Sequence, residues 1–202
     1  MSKRKGPKYE QIIEAAVRVI AKNGYHHAQV SKIAKEAGVA DGTIYLYFKN
    51  KEDILISLFD EKMGTFVSKI REELSTVESA AEKLSVLIKL HFKQLAADKH
   101  LAVVTQLELR QSHSDLRQQI NEILKDYLSL MEEVIIEGKE SGSFSSSLNE
   151  KLSRQMVFGT LDEVVTNWVM KECKYDLEEL AEPVYSMLLN GFKTNAESTV
   201  EM

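Results

Sequence analysis

The sequence predicts an all-α protein of about nine helices. Only two prolines, Pro7 and Pro183, occur in 202 residues, so nearly the whole chain can propagate helices. Apolar residues recur at the spacing of amphipathic helices, and the alternation typical of strands is hard to find. With 44% hydrophobic residues, the chain can form a packed core, either as one domain or as a small domain followed by a larger one.

The first two helices are predicted from their apolar stripes and end signals. The first begins near Pro7, which fits the first helical turn, and ends at Gly24. A second, shorter helix is expected over 29–37, where Gly38 fits a left-handed C-cap. The apolar stripe of the first helix, which is expected to face the core, consists of Ile12, Ile13, Ala16, Val19 and Ile20.

A third short helix is predicted over 41–48, with Ile44 and Phe48 facing the core. Its other faces carry hydroxyl groups, on Thr43, Tyr45 and Tyr47. Two short helices joined by a tight glycine-containing turn have the spacing of a helix-turn-helix, whose second helix can lie in a major groove. Residues 1–50 are therefore expected to form a DNA-binding domain.

The order of residues in this segment resembles the signature of the TetR family of bacterial repressors. The matching runs are Ala-x-x-Ala-Gly-Val over 34–39, Gly-Thr-x-Tyr-x-Tyr-Phe over 42–48 and Asn-Lys-Glu-Asp-Ile-Leu over 50–55. The family usually starts its second helix with a pair of threonines, whereas this chain has Ala28, Gln29 and Val30. The cap of that helix is therefore expected to be weaker.

The resemblance and the chemistry of the side chains together predict the contacts with DNA. Hydroxyl groups and the Lys51 ammonium suit phosphate oxygens, and Asn50 is expected to cap the fourth helix. Asp41 could accept from cytosine or serve as a helix cap, and the cap is favoured. The predicted contact residues are Gln29, Ser31, Ala40, Asp41, Gly42, Thr43, Tyr45, Tyr47 and Lys51. Lys3, Arg4 and Lys5 form an arm that either meets phosphates or is a free tail.

The charge distribution separates the two parts of the chain. Residues 1–51 hold ten Lys and Arg against four Asp and Glu, which gives a net charge of +6. Because the net charge of the whole chain is −5, residues 52–202 carry −11. Such a basic head is expected to approach a polyanion, although a merely solvated basic face would have the same composition.

Residues 51–202 are expected to form a helical ligand-binding and dimerisation domain. Its helices are predicted over 51–74, 80–97, 100–111, 115–140, 149–172 and 177–195. Ser147 and Glu150 have the spacing of a capping box. A short recognition helix reads few base pairs, so a symmetric dimer is needed, and the last two helices carry too many apolar residues for one buried stripe. We expect them to form a four-helix bundle across a twofold axis, as the resemblance also implies.

Bulky apolar side chains and a few polar ones in this region are candidates for a ligand site, although ordinary core packing explains most single residues of this kind. Gln106 and Arg110 share a helical face in an otherwise apolar region, so Arg110 must pair with Glu108, Asp162 or Glu163, or with an anionic ligand. The candidate ligand-binding residues are Phe92, Gln106, Leu109, Arg110, Arg117, Tyr127, Met131, Phe158 and Trp168.

Three further segments, 103–112, 116–124 and 154–170, resemble members of the same family that regulate fatty-acid degradation in bacilli. This resemblance implies a homodimer that represses β-oxidation genes, binds double-stranded operator DNA and is released by long-chain acyl-CoA. An acyl tail needs an apolar tunnel and the CoA phosphates need cations, for which Arg110 and Arg117 are candidates. A repressor answering another hydrophobic ligand and a constitutive DNA-binding protein remain alternatives.

Other classes of function find little support in the sequence. One cysteine excludes an internal disulfide, and no Cys and His cluster has metal-ligand spacing. Neither a phosphate loop nor an activated nucleophile is recognisable, so we expect no enzyme and no cofactor. The chain lacks an apolar run long enough to span a membrane and a secretory signal, so we expect a cytoplasmic protein without membrane contact.

Overall fold

The computed structural model describes residues 5–108 and 113–193, and these residues form helices with one short 3₁₀ turn. All nine helices predicted from the sequence are present, several of them with the predicted bounds. The helices are α1 Pro7–Asn23, α2 Val30–Glu36, α3 Asp41–Ile44, α4 Lys51–Leu74, α5 Ala80–Ala97, α6 Lys99–Glu108, α7 Ser114–Glu140, α8 Glu150–Met170 and α9 Ala181–Phe192.

Contacts divide the chain into two compact units. The first unit comprises Met1–Thr65 and Asp98–Leu124, and the second comprises Phe66–Ala97 and Lys125–Met202. Because the division falls within α4 and α7, each of these two helices contributes residues to both units.

In the first unit, α1 packs against α2 and α6, and α2 packs against α3. The ring of Tyr9 stacks on Phe48 with centroids 5.1 Å apart. Ile44 and Phe48 are buried, as the sequence predicted. This apolar centre fixes the three N-terminal helices, which leaves the polar face of α3 outside the core.

In the first unit, two glycines lie at helix C-termini and one asparagine caps a helix N-terminus, as the sequence predicted. Gly24 after α1 and Gly38 after α2 have φ of 73° and 65°, a backbone region that favours glycine. The Asn50 side chain accepts from the backbone N–H of Asp53 at 2.8 Å, so the predicted cap of α4 is confirmed. The preference for Asp41 as the cap of α3 is wrong: Ala40 is the N-cap residue and Asp41 lies in the first helical turn.

In the second unit, α5 packs against α8 and α9. The core of this unit is apolar and includes Leu87, Ile88, Phe92, Leu161 and Val165, all of which are fully buried. The Nε1–H of Trp168 donates to the carbonyl of Tyr175 at 2.8 Å, which fixes the chain that follows α8.

The start of α8 differs from the prediction. Asn149 caps this helix, accepting from the backbone N–H of Leu152 at 2.9 Å, so the expected capping box of Ser147 and Glu150 is wrong. Glu150 instead forms an ion pair with Lys139. Several side chains in this serine-rich loop can accept from a helix N-terminus, and the backbone path selects among them.

Candidate DNA interface and effector site

The nine predicted DNA contacts, which we call the DNA face, all lie in the first unit, between the N-cap residue of α2 and the first residue of α4. Gln29 is the exposed N-cap residue of α2 and makes no side-chain capping bond, as expected from the missing threonine pair. Ser31 is also exposed. Their polar groups are therefore accessible to a phosphate or a base edge.

The short helix α3 exposes its leading edge, Ala40, Asp41 and Gly42. Tyr45 projects with 58% of its surface exposed. Thr43 and Tyr47 are half-buried, which fixes their positions beside the core. The α-helix is only four residues long, half of the expected span, because residues 45–47 continue as turns.

Lys51 has a structural role that the sequence did not reveal. Its ammonium Nζ donates to the carbonyl oxygens of Tyr25 and His26, each at 3.0 Å, and lies 4.6 Å from the centroid of the Tyr25 ring. An ammonium has three N–H donors, so two of them hold the loop between α1 and α2. The remaining donor is what Lys51 can offer to a phosphate.

The same loop is also held by Glu108 at the end of α6. The backbone N–H of Tyr25 donates to Glu108 Oε1 at 2.8 Å, and both residues are buried. Burial, followed by the negative charges of Glu52 and Glu108, raises the pKa of the Tyr25 phenol to about 12. The loop that leads into α2 is therefore held by two side chains, the Glu108 carboxylate and the Lys51 ammonium.

A basic groove of about 810 Å³ lies among α1, α2 and α6. Its charged walls include Arg18, Lys22, Lys32 and Lys35 against one carboxylate, Glu36. Arg18 pairs with Glu36 at 2.6 Å. The excess of cations gives this side of the first unit a field that attracts polyanions. At the N-terminal arm, Lys5 pairs with Glu61 at 2.7 Å, and Lys3 and Arg4 lie outside the described residues.

The candidate ligand-binding residues fall in both units. Phe92, Tyr127, Met131 and Trp168 are buried in the second unit, and Phe158 there is half-buried. The first unit holds Gln106, which is buried on α6, and Arg117, which is exposed on α7. Leu109 and Arg110 lie outside the described residues.

Aromatic rings in the second unit form one connected group, the aromatic cluster, which consists of Phe66, His91, Phe92, Tyr127 and Phe158. The Tyr127 ring lies 5.4 Å from that of Phe66 and 6.4 Å from that of Phe158, centroid to centroid. His91 stacks on Tyr127, and its Nδ1 lies 2.7 Å from the phenol oxygen. From the sequence alone, helical spacing places His91 on the apolar face of α5, beside Leu87 and Leu95. Tyr127 lies 36 positions away, too far for helical periodicity to pair them.

The last two helices expose several large apolar side chains. Leu152 and Met156 on α8 are 57% and 53% exposed, and Met187 on α9 is 67% exposed. The opposite side of α8 is buried through Val157 and Leu161. The helix therefore has apolar residues on two faces, only one of which is covered by its own chain.

Within the described ranges, no helix combines the length and apolar character needed to cross a membrane. The same residues bring together no group of three or more His, Cys, Asp or Glu side chains that could hold a metal ion. Cys173, the single cysteine of the sequence, is half-buried.

Comparison with known proteins relates both parts of the chain to bacterial regulators. Residues 12–58 match the family described as bacterial regulatory proteins, tetR family, and residues 59–191 match the family described as YsiA-like protein, C-terminal region. The fatty acid metabolism regulator protein of Bacillus subtilis is 60% identical over 189 residues, which cover 94% of this chain and 97% of that protein.

Two solved structures share this similarity over nearly their full length. The fatty acid degradation regulator FadR from Bacillus halodurans is 65% identical with a TM-score of 0.91, covering 96% of this chain and 100% of its own. FadR from Bacillus subtilis, in complex with stearoyl-CoA, is 59% identical with a TM-score of 0.89, covering 91% of this chain and 99% of its own.

Proposed function

The chain belongs to the tetR family of bacterial regulatory proteins, and we propose that it represses fatty-acid degradation genes until long-chain acyl-CoA releases it from operator DNA. One observation carries this proposal: a regulator 59% identical over 91% of this chain forms a complex with stearoyl-CoA. The protein is a transcription regulator rather than an enzyme, as are its close relatives.

The DNA-binding domain is proposed to be residues 1–50, and the remainder, 51–202, the effector-binding and dimerisation domain. In the DNA-binding domain, exposed Gln29, Ser31 and Tyr45 offer polar groups beside a short recognition helix. The net charge of +6 over residues 1–51 supports binding to a polyanion. A regulator of bacterial operators works in the cytoplasm, which is where we place this protein.

A homodimer is part of the proposal because α3 is too short to read more than a few base pairs. Two copies bound to two half-sites combine their affinities. The exposed Leu152, Met156 and Met187 on α8 and α9 supply an apolar surface that a second copy can bury. Charge repulsion does not oppose this contact at these side chains, which are all neutral.

The effector is proposed to place its acyl tail against the aromatic cluster of the second unit. Phe92, Tyr127 and Met131 there are almost fully buried and neutral, which suits a hydrocarbon chain. The phosphates of CoA need cations, a role we assign to Arg110 and Arg117. Gln106, Leu109, Phe158 and Trp168 complete the proposed set of effector-binding residues.

Release from DNA is proposed to follow from a change in the spacing of the two heads. The helix α4 runs from Lys51 to Leu74 and so contains residues of both units. An acyl chain that displaces its C-terminal part would also move its N-terminal part. Two recognition helices enter successive major grooves only when they lie about 34 Å apart, so a changed spacing lowers the affinity.

A gel-shift titration with palmitoyl-CoA tests the effector. We expect complex formation between full-length protein and its operator to fall as palmitoyl-CoA rises, while free CoA has no effect. Undiminished operator binding at saturating palmitoyl-CoA would refute the effector assignment. A Tyr47→Phe variant tests the DNA face separately, since loss of a phosphate contact should weaken operator and unrelated DNA about equally.

A further inference from the structure

The side chain of His91 has one ring nitrogen for which the described residues provide no hydrogen-bond partner. His91 is 6% exposed, and its Nε2 is buried with no hydrogen-bond partner in the described part of the chain. The other nitrogen, Nδ1, lies 2.7 Å from the phenol oxygen of Tyr127. Burial without a compensating hydrogen bond is costly for a polar group, so this nitrogen calls for an explanation.

The hydrogen-bond inventory of the pair fixes which nitrogen carries the proton. Tyr127 is also buried, and its phenol has one O–H to donate. If that O–H donates to Nδ1 of His91, the phenol is satisfied and the ring proton lies on Nε2. The reverse assignment would leave two groups unsatisfied, the phenol O–H and Nε2. The pair therefore presents a single unpaired donor, the Nε2–H of His91.

The surroundings of His91 define the acceptor that this donor suits. Its ring makes edge contacts with Phe66 and Phe92, with centroids 6.1 and 5.9 Å away. These hydrocarbon rings offer only weak acceptors. Burial lowers the pKa of His91 to about 4, so the imidazole is neutral at pH 7. A neutral donor among hydrocarbon rings suits a neutral oxygen, whereas a phosphate or carboxylate would lose its hydration without gaining a counter-charge.

We propose that the Nε2–H of His91 donates a hydrogen bond to the thioester carbonyl oxygen of the bound acyl-CoA, with Tyr127 positioning the imidazole. This inference rests on the proposed function and adds to it a polar anchor that sets where the acyl chain begins. Hydrocarbon slides along an apolar surface with little preference for register, whereas one buried donor favours the register that brings an acceptor to it.

The experiment compares two ligands that differ only at the carbonyl. Palmitoyl-CoA is titrated into the full-length protein by calorimetry, beside S-hexadecyl-CoA, the thioether in which a methylene replaces the carbonyl. Wild type is expected to bind the thioester about tenfold more tightly. In His91→Phe, which keeps a planar ring but lacks the donor, this ratio is expected to fall to about one. The ratio of the two affinities is an internal control for each protein, since a general loss of packing weakens the binding of both ligands.

Two further measurements do not depend on the affinity of that variant. Tyr127→Phe removes the phenol that fixes the tautomer and should reduce the ratio to a value between those of wild type and His91→Phe. In ¹⁵N-histidine spectra of wild type, the proton of His91 should lie on Nε2. Palmitoyl-CoA should move the resonance of this Nε2 proton downfield, whereas the thioether should not.

The outcomes separate this inference from the function on which it rests. If both ligands bind wild type equally, or if the thioester preference survives in His91→Phe, the carbonyl contact is refuted and the effector assignment stands. If the Nε2 resonance is the same with both ligands, the contact is likewise refuted. If neither ligand binds wild type, the proposed function fails and the inference fails with it.

Discussion

Replacing Glu108 with Ala removes the acceptor that holds the loop between α1 and α2. In wild type the backbone N–H of Tyr25 donates to the Glu108 carboxylate at 2.8 Å, with both residues less than 10% exposed. Truncation leaves this buried N–H without its acceptor, at a cost of about 2 kcal/mol. For a protein of this size, that loss lowers the melting temperature by roughly 4–8 °C.

Urea unfolding at one fixed protein concentration measures this effect, because dimerisation makes the apparent stability depend on concentration. We expect the midpoint of Glu108→Ala to fall while the slope stays constant, since the area exposed on unfolding hardly changes. The matched control is Glu108→Gln, whose amide oxygen can still accept from Tyr25, and it should retain most of the stability.

Two results would refute this reasoning. If Glu108→Ala unfolds within about 0.5 kcal/mol of wild type, the contact does not stabilise the loop. If Glu108→Gln loses as much as Glu108→Ala, the negative charge rather than the acceptor oxygen is what matters. Operator affinity of the same variants should follow their stability, because the loop leads directly into α2 of the DNA-binding domain.

Three further predictions concern the second unit. Between pH 6.5 and 4 the unfolded chain binds a proton at His91 that the folded chain does not, so the free energy of unfolding should fall by about 3 kcal/mol as the pH drops through this window. Urea titrations at pH 7.5 and 4.5 measure this loss. The loss should be smaller in His91→Phe than in wild type. Asn149→Ala should lower the free energy of unfolding by about 1 kcal/mol, because it removes the cap of α8. Ser147→Ala is the control and should have little effect. Equal losses in the two variants would contradict the assignment of the cap. A Cβ at Gly138 would lie 2.1 Å from the ring of Phe144, so Gly138→Ala should lower the free energy of unfolding by about 3 kcal/mol in thermal unfolding. At Gly142 only the φ of 74° is unfavourable, so Gly142→Ala should cost about 1 kcal/mol. A larger loss in Gly142→Ala than in Gly138→Ala would be inconsistent with this packing.

The bounds of most helices could be predicted because they depend on residues close in sequence. The first turn of α1 begins at Pro7, and Gly24 and Gly38 end helices where a left-handed backbone is needed. Asn50 caps α4 through a contact three residues away. The same reasoning failed at α8, where Asn149 rather than Ser147 provides the cap, because neighbouring polar residues give equivalent local signals.

The amino-acid sequence by itself determined the all-α class and the helix-turn-helix, and it predicted the residues of the DNA face, since periodicity, turn glycines and charge are local properties. Only the tertiary structure decided which side chains distant in sequence contact each other. The Glu108 carboxylate meets Tyr25 across 83 positions, and His91 meets Tyr127 across 36. Such pairs form only when helices pack, because contacts distant in sequence depend on the geometry of the whole core rather than on any local pattern.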